Sequence, residues 1–197
     1  MTTEPSKTVK GVIVHLTVEE GSVYKLSKVS LAGVTREETD SLAKVAGFKI
    51  GEIANFEEIN AGVERMKKSL MHDGYIHAEG EVVRRMDEAA KAVGLLVKLT
   101  KGPQYHYGKL TISGLDLNGE AQIEKLWSGK PGKAYNAEYP EYFLARIKEQ
   151  GLFDDLGDSK AVKKVDDENH VVDITLDFKA APVKKDRKKE SQPGSPF

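Results

Sequence analysis

The sequence predicts an α+β protein built from two tandem β-α-α-β-β modules, on three observations. Val93-Gly94-Leu95-Leu96-Val97-Lys98-Leu99-Thr100-Lys101-Gly102 repeats Val12-Ile13-Val14-His15-Leu16-Thr17-Val18-Glu19-Glu20-Gly21 at an offset of 81 residues. The same offset pairs Tyr24 with Tyr105, Lys28 with Lys109, Gly33 with Gly114, Gly51 with Gly132 and Asn55 with Asn136. A register held over such unlike residues marks duplication of one folded unit. Within each copy, alternating strand patterns bracket two helical ones. The expected divisions are an N-terminal segment over 1–21, a first module over 22–101, a second over 102–180 and a basic tail over 181–197. Units of this size bury only about 60–65% of their unfolded surface, so each is marginal alone.

The first module opens with a strand at Tyr24–Ala32, in which Tyr24 and Leu26 and, after a slip, Val29 and Leu31 alternate with polar residues. Gly33 stops it. Thr35-Arg36-Glu37-Glu38 is a capping box, with the Thr35 hydroxyl on the N3 amide and Glu38 reaching back. The helix it starts carries Leu42 and Val45 and ends by Gly47. Asn55 caps a longer helix with Glu58 at N3. Its buried stripe is Ile59, Val63, Met66 and Leu70, spaced four, three and four. Asp73-Gly74 ends it through a glycine cap. A strand from Tyr75 to Met86 and a turn at Asp87-Glu88-Ala89-Ala90 follow. Val93, Leu95, Val97 and Leu99 then alternate as a half-buried strand.

The second module repeats this order, with a strand at Lys109–Ser113 and helices near Gly119–Trp127 and Ala137–Gln150. Tyr139, Phe143 and Ile147 fall on one face of the latter, and Val172, Ile174, Leu176 and Phe178 form the last strand. From Asn136 to Gly151 the copy is four residues shorter than from Asn55 to Gly74. That is close to one helical turn, a deletion that preserves the buried face. At the N-terminus, Val12, Val14, Leu16 and Val18 match the final strand of a module whose earlier part is missing. This orphan strand is expected to be extended and poorly tethered or paired to a neighbouring chain, since apolar strands seek an edge. Its presence suggests a fragment of a longer array, which stops after Phe178.

Composition excludes several classes. The net charge is -1, so no global field points to nucleic acid or anionic lipid. No cysteine is present, which removes disulfides, thiol redox chemistry and cysteine zinc sites. No apolar run approaches the ~20 residues that span a bilayer, and the first ten residues hold no secretory signal. The Lys184–Glu190 run and the residues after it have the composition of a solvated, disordered tail.

At these residues the chain resembles a tandem pair of POTRA domains, the polypeptide-transport-associated modules of outer-membrane barrel-assembly and surface-antigen proteins. The resemblance is carried by Gly21-x-x-Tyr24-x-x-x-Lys28, Gly33, Gly51-x-x-x-Asn55, Gly74-Tyr75 and the alternating third strand. The second copy has Gly102, Gly114, Gly132-x-x-x-Asn136 and Gly151-Leu152-Phe153. It implies a three-stranded mixed sheet covered on one face by two helices, with the third strand central and the second at an edge. It implies residence on the periplasmic side of the outer membrane, the export signal lying outside this chain, and contact with unfolded barrel precursors or accessory envelope proteins. The residues after Phe178 do not resemble the first strand of a barrel; either a barrel belongs to a longer protein or the modules are freestanding, and a barrel-insertion role is not carried over to this chain.

Catalytic and metal readings fare poorly against structural ones. His72 and His77 straddle a helix end and a strand start without a zincin pattern. Asp154-Asp155 and Asp166-Asp167-Glu168 lie at turns. Ser27, Ser30, Ser41 and Ser69 lack a nucleophile elbow. Trp127 reads as core or an interdomain contact. Tyr135, Tyr139, Tyr142 and Phe143 read as helix-on-sheet packing, with an outward tyrosine left for a partner. No cofactor or metal is expected, and no enzyme. The strands of the first copy lack the aromatic and basic pattern of an RNA-binding sheet.

Two functions remain: a polypeptide-binding module working by strand addition, and a passive spacer or scaffold. For strand addition the expected receiving edge is Tyr75, Ile76, His77, Ala78, Glu79, Gly80, Glu81, Val82 and Val83, which is free of proline and carries two acidic residues. The matching Phe153–Val165 region is blunted by Gly157, acidic residues at 154, 155 and 158, and Lys160, Lys163 and Lys164.

Overall fold

Residues 2–5, 10, 12–15, 17, 21–151 and 156–180 are described by the structure, a computed structural model. At the N-terminus, β1 (Thr2–Pro5) pairs antiparallel with β2 (Val12–His15), Thr2 opposite His15 and Pro5 opposite Val12. The orphan strand therefore finds its edge within its own chain, a correction to the expected loose or intermolecular strand. An apolar strand takes the nearest backbone partner, and a short hairpin supplies it at the lowest closure entropy. Leu16, Val18, Leu152 to Asp155 and the tail beyond Ala180 lie outside the described residues.

The first sheet contains β3 (Lys25–Ala32), β4 (Glu79–Asp87) and β5 (Ala92–Thr100) in the order β3-β5-β4. The third strand of the module is central and the second is an edge. β3 runs parallel to β5, and their register shifts between Leu26 and Lys28. The slip in the alternation is thus a bulge at Ser27, whose hydroxyl donates to Val93 O at 3.1 Å.

Helix α1 (Arg36–Ala46) starts on the capping box: Glu38 N donates to Thr35 Oγ1 at 3.3 Å and Thr35 N to Glu38 Oε2 at 2.8 Å. Gly47 closes it at φ 66°. Leu42 is buried as expected, but Val45 is 41% exposed and Ala46 takes the inner position. Four residues from Leu42 is a closer angular match than three, so the stripe steps to Ala46.

Helix α2 (Phe56–His72) begins with Asn55 Oδ1 accepting from Glu57 N and Glu58 N. Ile59, Val63, Met66 and Leu70 are all buried. At its end Tyr75 N donates to Leu70 O and Gly74 N to Met71 O, a Schellman closure with Gly74 at φ 93°. Leu26, Ile59, Val93 and Leu95 form a core joining α2 to the sheet.

The second sheet contains β6 (His106–Ser113), β7 (Leu156–Asp166) and β8 (Val171–Ala180) in the order β6-β8-β7. β6 is parallel and β7 antiparallel to β8. Asp116 caps α3 (Leu117–Leu126), and α4 (Tyr139–Glu149) follows with a proline in its first turn. Trp127, Tyr107, Tyr135, Phe143, Ile147, Val172, Ile174, Leu176 and Phe178 form one buried core. Trp127 Nε1 donates to Gly129 O at 2.7 Å.

Tyr135 Oη is buried and finds no hydrogen-bond partner among the described residues. Desolvation pushes its ionisation well above the ordinary tyrosine value. An unsatisfied hydroxyl costs about 1–3 kcal/mol. Tyr135→Phe is therefore expected to raise stability by about 0.5–1 kcal/mol in urea unfolding; a loss of stability would mean that the hydroxyl is bonded.

Both modules close their hairpins alike. Asp87 Oδ1 accepts from Ala90 N, and Lys91 takes a positive φ of 47°. Asp166 Oδ1 accepts from Glu168 N and Asn169 N, and His170 takes 51°. Tyr24 Oη donates to Glu88, and Tyr105 Oη to Asp167 at 2.6 Å. These bonds to carboxylates push both phenols above their ordinary value. The Tyr24 bond, with Lys91 behind it, holds Glu88 below the usual carboxylate range.

The chain divides into two compact units, Met1–Val63 with Glu81–Lys98 and Glu64–Gly80 with Leu99–Phe197. Within the second, Tyr105 N donates to Gly74 O and Ala137 N to Met71 O. His72 Nε2 lies 2.9 Å from Glu138 Oε2, and this bond holds the Glu138 carboxyl below its ordinary range.

Candidate functional site

Each three-stranded sheet has two edge strands, and three of these four are obstructed over part of their length. The start of β3 is covered by the Gly51–Ala54 segment: Gly51 N donates to Leu26 O at 2.7 Å, Leu26 N to Glu52 O at 2.9 Å and Ala54 N to Tyr24 O at 2.9 Å. The start of β6 is covered in the same way, with Gly132 N on Tyr107 O, Tyr107 N on Lys133 O and Tyr135 N on Tyr105 O. β7 is irregular between Leu156 and Ser159. Its Lys163 reaches across to α4, with Nζ 2.8 Å from Ala137 O and 2.9 Å from Glu141 Oε1. Bulges and lysines of this kind blunt an edge against pairing. β4 is the fourth edge.

β4 begins at Glu79, so only Glu79, Gly80, Glu81, Val82 and Val83 of the expected receiving residues lie on it. Tyr75, Ile76, His77 and Ala78 form a turn, a correction to the expected strand. The Schellman closure fixes Tyr75 to the helix end, and Ala78 N donates back to Tyr75 O at 3.0 Å, so this backbone is committed before the sheet begins. Lys101 Nζ lies 4.7 Å from the Tyr75 ring centroid, the His77 ring meets Tyr105 edge-on at 5.4 Å, and Ile76 packs on the second core.

The strand runs on through Arg84, Arg85 and Met86, as expected, and ends one residue later at Asp87. The expected receiving edge stops at Val83 and so leaves out Arg84 and Arg85 of the same strand. Glu81 pairs with Lys98 at 3.5 Å, and Arg84 Cζ lies 4.2 Å over the Phe56 ring. Val82 and Val83 are half-buried, and Met86 is 47% exposed.

The other candidates are placed apart. His72 faces Glu138 and His77 faces Asp167 at 3.7 Å, so the two imidazoles engage different carboxylates. Asp166 and Asp167 serve the hairpin and Tyr105, and Asp154-Asp155 lies outside the described residues. Trp127 is core. Tyr142 is the outward tyrosine of its group, 58% exposed beside Arg146. No helix among the described residues is long and apolar enough to cross a membrane.

Two helices on a mixed sheet whose third strand is central define a POTRA-type module. Residues 24–102 match the family model of POTRA, described as the surface antigen variable number repeat. It is 20% identical over 171 residues to the outer membrane protein assembly factor BamA of Buchnera aphidicola, covering 86% of this chain and 27% of that protein. The chain thus spans about a quarter of that relative's length. A crystal structure of Haemophilus influenzae BamA POTRA3-5 superposes with TM-score 0.57 at 18% identity, covering 79% of this chain and 61% of the other. BamA from Haemophilus ducreyi lacking POTRA domains 1-3 superposes with TM-score 0.63 at 18% identity, covering 80% and 29%.

Proposed function

We propose that this chain is a non-catalytic protein-binding module of the bacterial envelope, on the periplasmic side of the outer membrane. It contacts outer-membrane β-barrel precursors or assembly partners by strand addition along β4, with Glu79, Gly80, Glu81, Val82 and Val83 receiving the added strand. The observation that carries this reading is the state of the edges of the two three-stranded sheets: β3 and β6 are capped at their starts by their own loops, β7 is irregular near Leu156 and crossed by Lys163, and β4 ends its sheet. Strand addition draws on main-chain bonds and tolerates varied sequences, as handling of precursors demands. The match to an outer membrane protein assembly factor supports the compartment and the class of partner.

A second reading, a spacer or scaffold without clients, is favoured by the charges along β4. Glu81 with Lys98, and Arg84 with Phe56, are features that protect an edge. Titrating labelled protein with an extended barrel-strand peptide separates the two. Strand addition predicts amide shifts running along β4. It also predicts about tenfold weaker binding when proline replaces a β4 residue whose N–H points away from β5. His77→Ala should leave binding unchanged. Shifts confined to the helices, or none at millimolar peptide, leave the scaffold.

A further inference from the structure

The two modules solve one packing problem with different residues. Across the 81-residue offset, Leu26, Ala46, Ala54, Glu58 and Gly62 stand where the second module has Tyr107, Trp127, Tyr135, Tyr139 and Phe143. Those five rings pack on one another, Tyr107 edge-on to Tyr135 at 5.0 Å and Trp127 edge-on to Phe143 at 5.0 Å. Tyr139 closes the layer, 4.8 Å from Trp127 and 5.9 Å from Phe143, and its hydroxyl accepts from Ser128 N at 2.9 Å. It thereby fills the gap between α4 and the loop after α3.

The first module places a single ring there. A Cβ on Gly62 would come within 2.4 Å of Phe48 Cε1, so Phe48 takes the room of Phe143. The space matching Tyr135 and Tyr139 stays open as a cavity of 370 Å³ walled by Leu26, Phe48, Ala54 and Ile59. Its floor is held by the bonds that tie Gly51, Glu52 and Ala54 to β3. Ile50 and Ile53 are 63% and 66% exposed nearby. On the lining, Glu52 and Glu58 outnumber one cation, Lys49, whose ammonium is already 3.6 Å from Glu52.

We propose that this cavity is a socket for one aromatic side chain of an extended polypeptide, flanked in that polypeptide by lysine or arginine. The sister module shows that rings fit this place in the fold, and the carboxylate excess at the rim selects the basic neighbours. The site lies among the segment joining α1 to α2, the start of β3 and the first turn of α2, and does not depend on strand addition at β4.

The test is a titration of the isotope-labelled full chain with a capped Ser-Lys-Tyr-Lys-Ser peptide. Saturable shifts are expected at Gly47 to Asn55 and at the methyls of Leu26 and Ile59. Replacing the peptide's tyrosine by serine should weaken binding about tenfold or more, the worth of a buried ring. Glu58→Tyr, which fills the cavity as the second module does, should abolish the shifts. Glu52→Lys, which leaves the cavity empty and reverses the rim, should weaken them several-fold and covers the case in which the filled variant misfolds. Absence of shifts, shifts along β4 alone, equal binding of the serine peptide, or indifference to both substitutions overturns the socket. The β4-only outcome would leave strand addition standing.

Discussion

Gly114→Ala is expected to destabilise the second module by at least about 3 kcal/mol, and Gly132→Ala by only about 1–2 kcal/mol. Both glycines have positive φ, 86° and 79°. At Gly132 an added Cβ meets nothing within 4 Å, so the cost is backbone strain alone. At Gly114 the same atom would lie 1.7 Å from Phe178 O and 2.8 Å from its carbonyl carbon, inside the backbone of β8. β8 is the central strand, so it cannot retreat without breaking its pairing with β6 or β7. Urea unfolding followed by Trp127, the chain's single tryptophan, reports on this module directly. Equal midpoints for the two variants would show that the close approach at Gly114 is absent in solution.

Trp127→Ala should cost about 3–5 kcal/mol, the range for removing a large buried aromatic. The side chain is 2% exposed, donates to Gly129 O and touches Tyr107, Tyr139 and Phe143. With a total stability of about 5–15 kcal/mol, that is a large share of what holds the module. Circular dichroism in urea measures it. Tyr142→Ala, on the same helix as Phe143 but 58% exposed, should stay within about 0.5 kcal/mol of the parent. A comparable loss at Tyr142 would place that ring in a contact.

The element order, the caps and most of the core were legible in the residues. Thr35 with Glu38, Asn55 and the Asp73-Gly74 pair each act within a few residues, so their chemistry is local and readable. The stripe at Ile59, Val63, Met66 and Leu70 and the alternation at Val93 to Leu99 record which face meets the core, and every one of those residues is buried. Even the slip between Leu26 and Val29 was visible, because a bulge changes which side chains point inward.

What the residues left undecided depends on pairing between distant segments. Strand order followed only from the family resemblance, since alternation is the same for a central and an edge strand. The start of β4 at Glu79, and not at Tyr75, is set by the Schellman closure and the turn to Ala78, which compete with the sheet for the same backbone groups. The obstruction at the starts of β3 and β6 comes from loops that fold back about 25 residues along the chain, and no periodicity marks that return. The open cavity of the first module likewise appears only when Phe48 is seen against Gly62. Local patterns determine which residues are inside; the closure of the backbone over itself determines which edges and hollows remain for a partner.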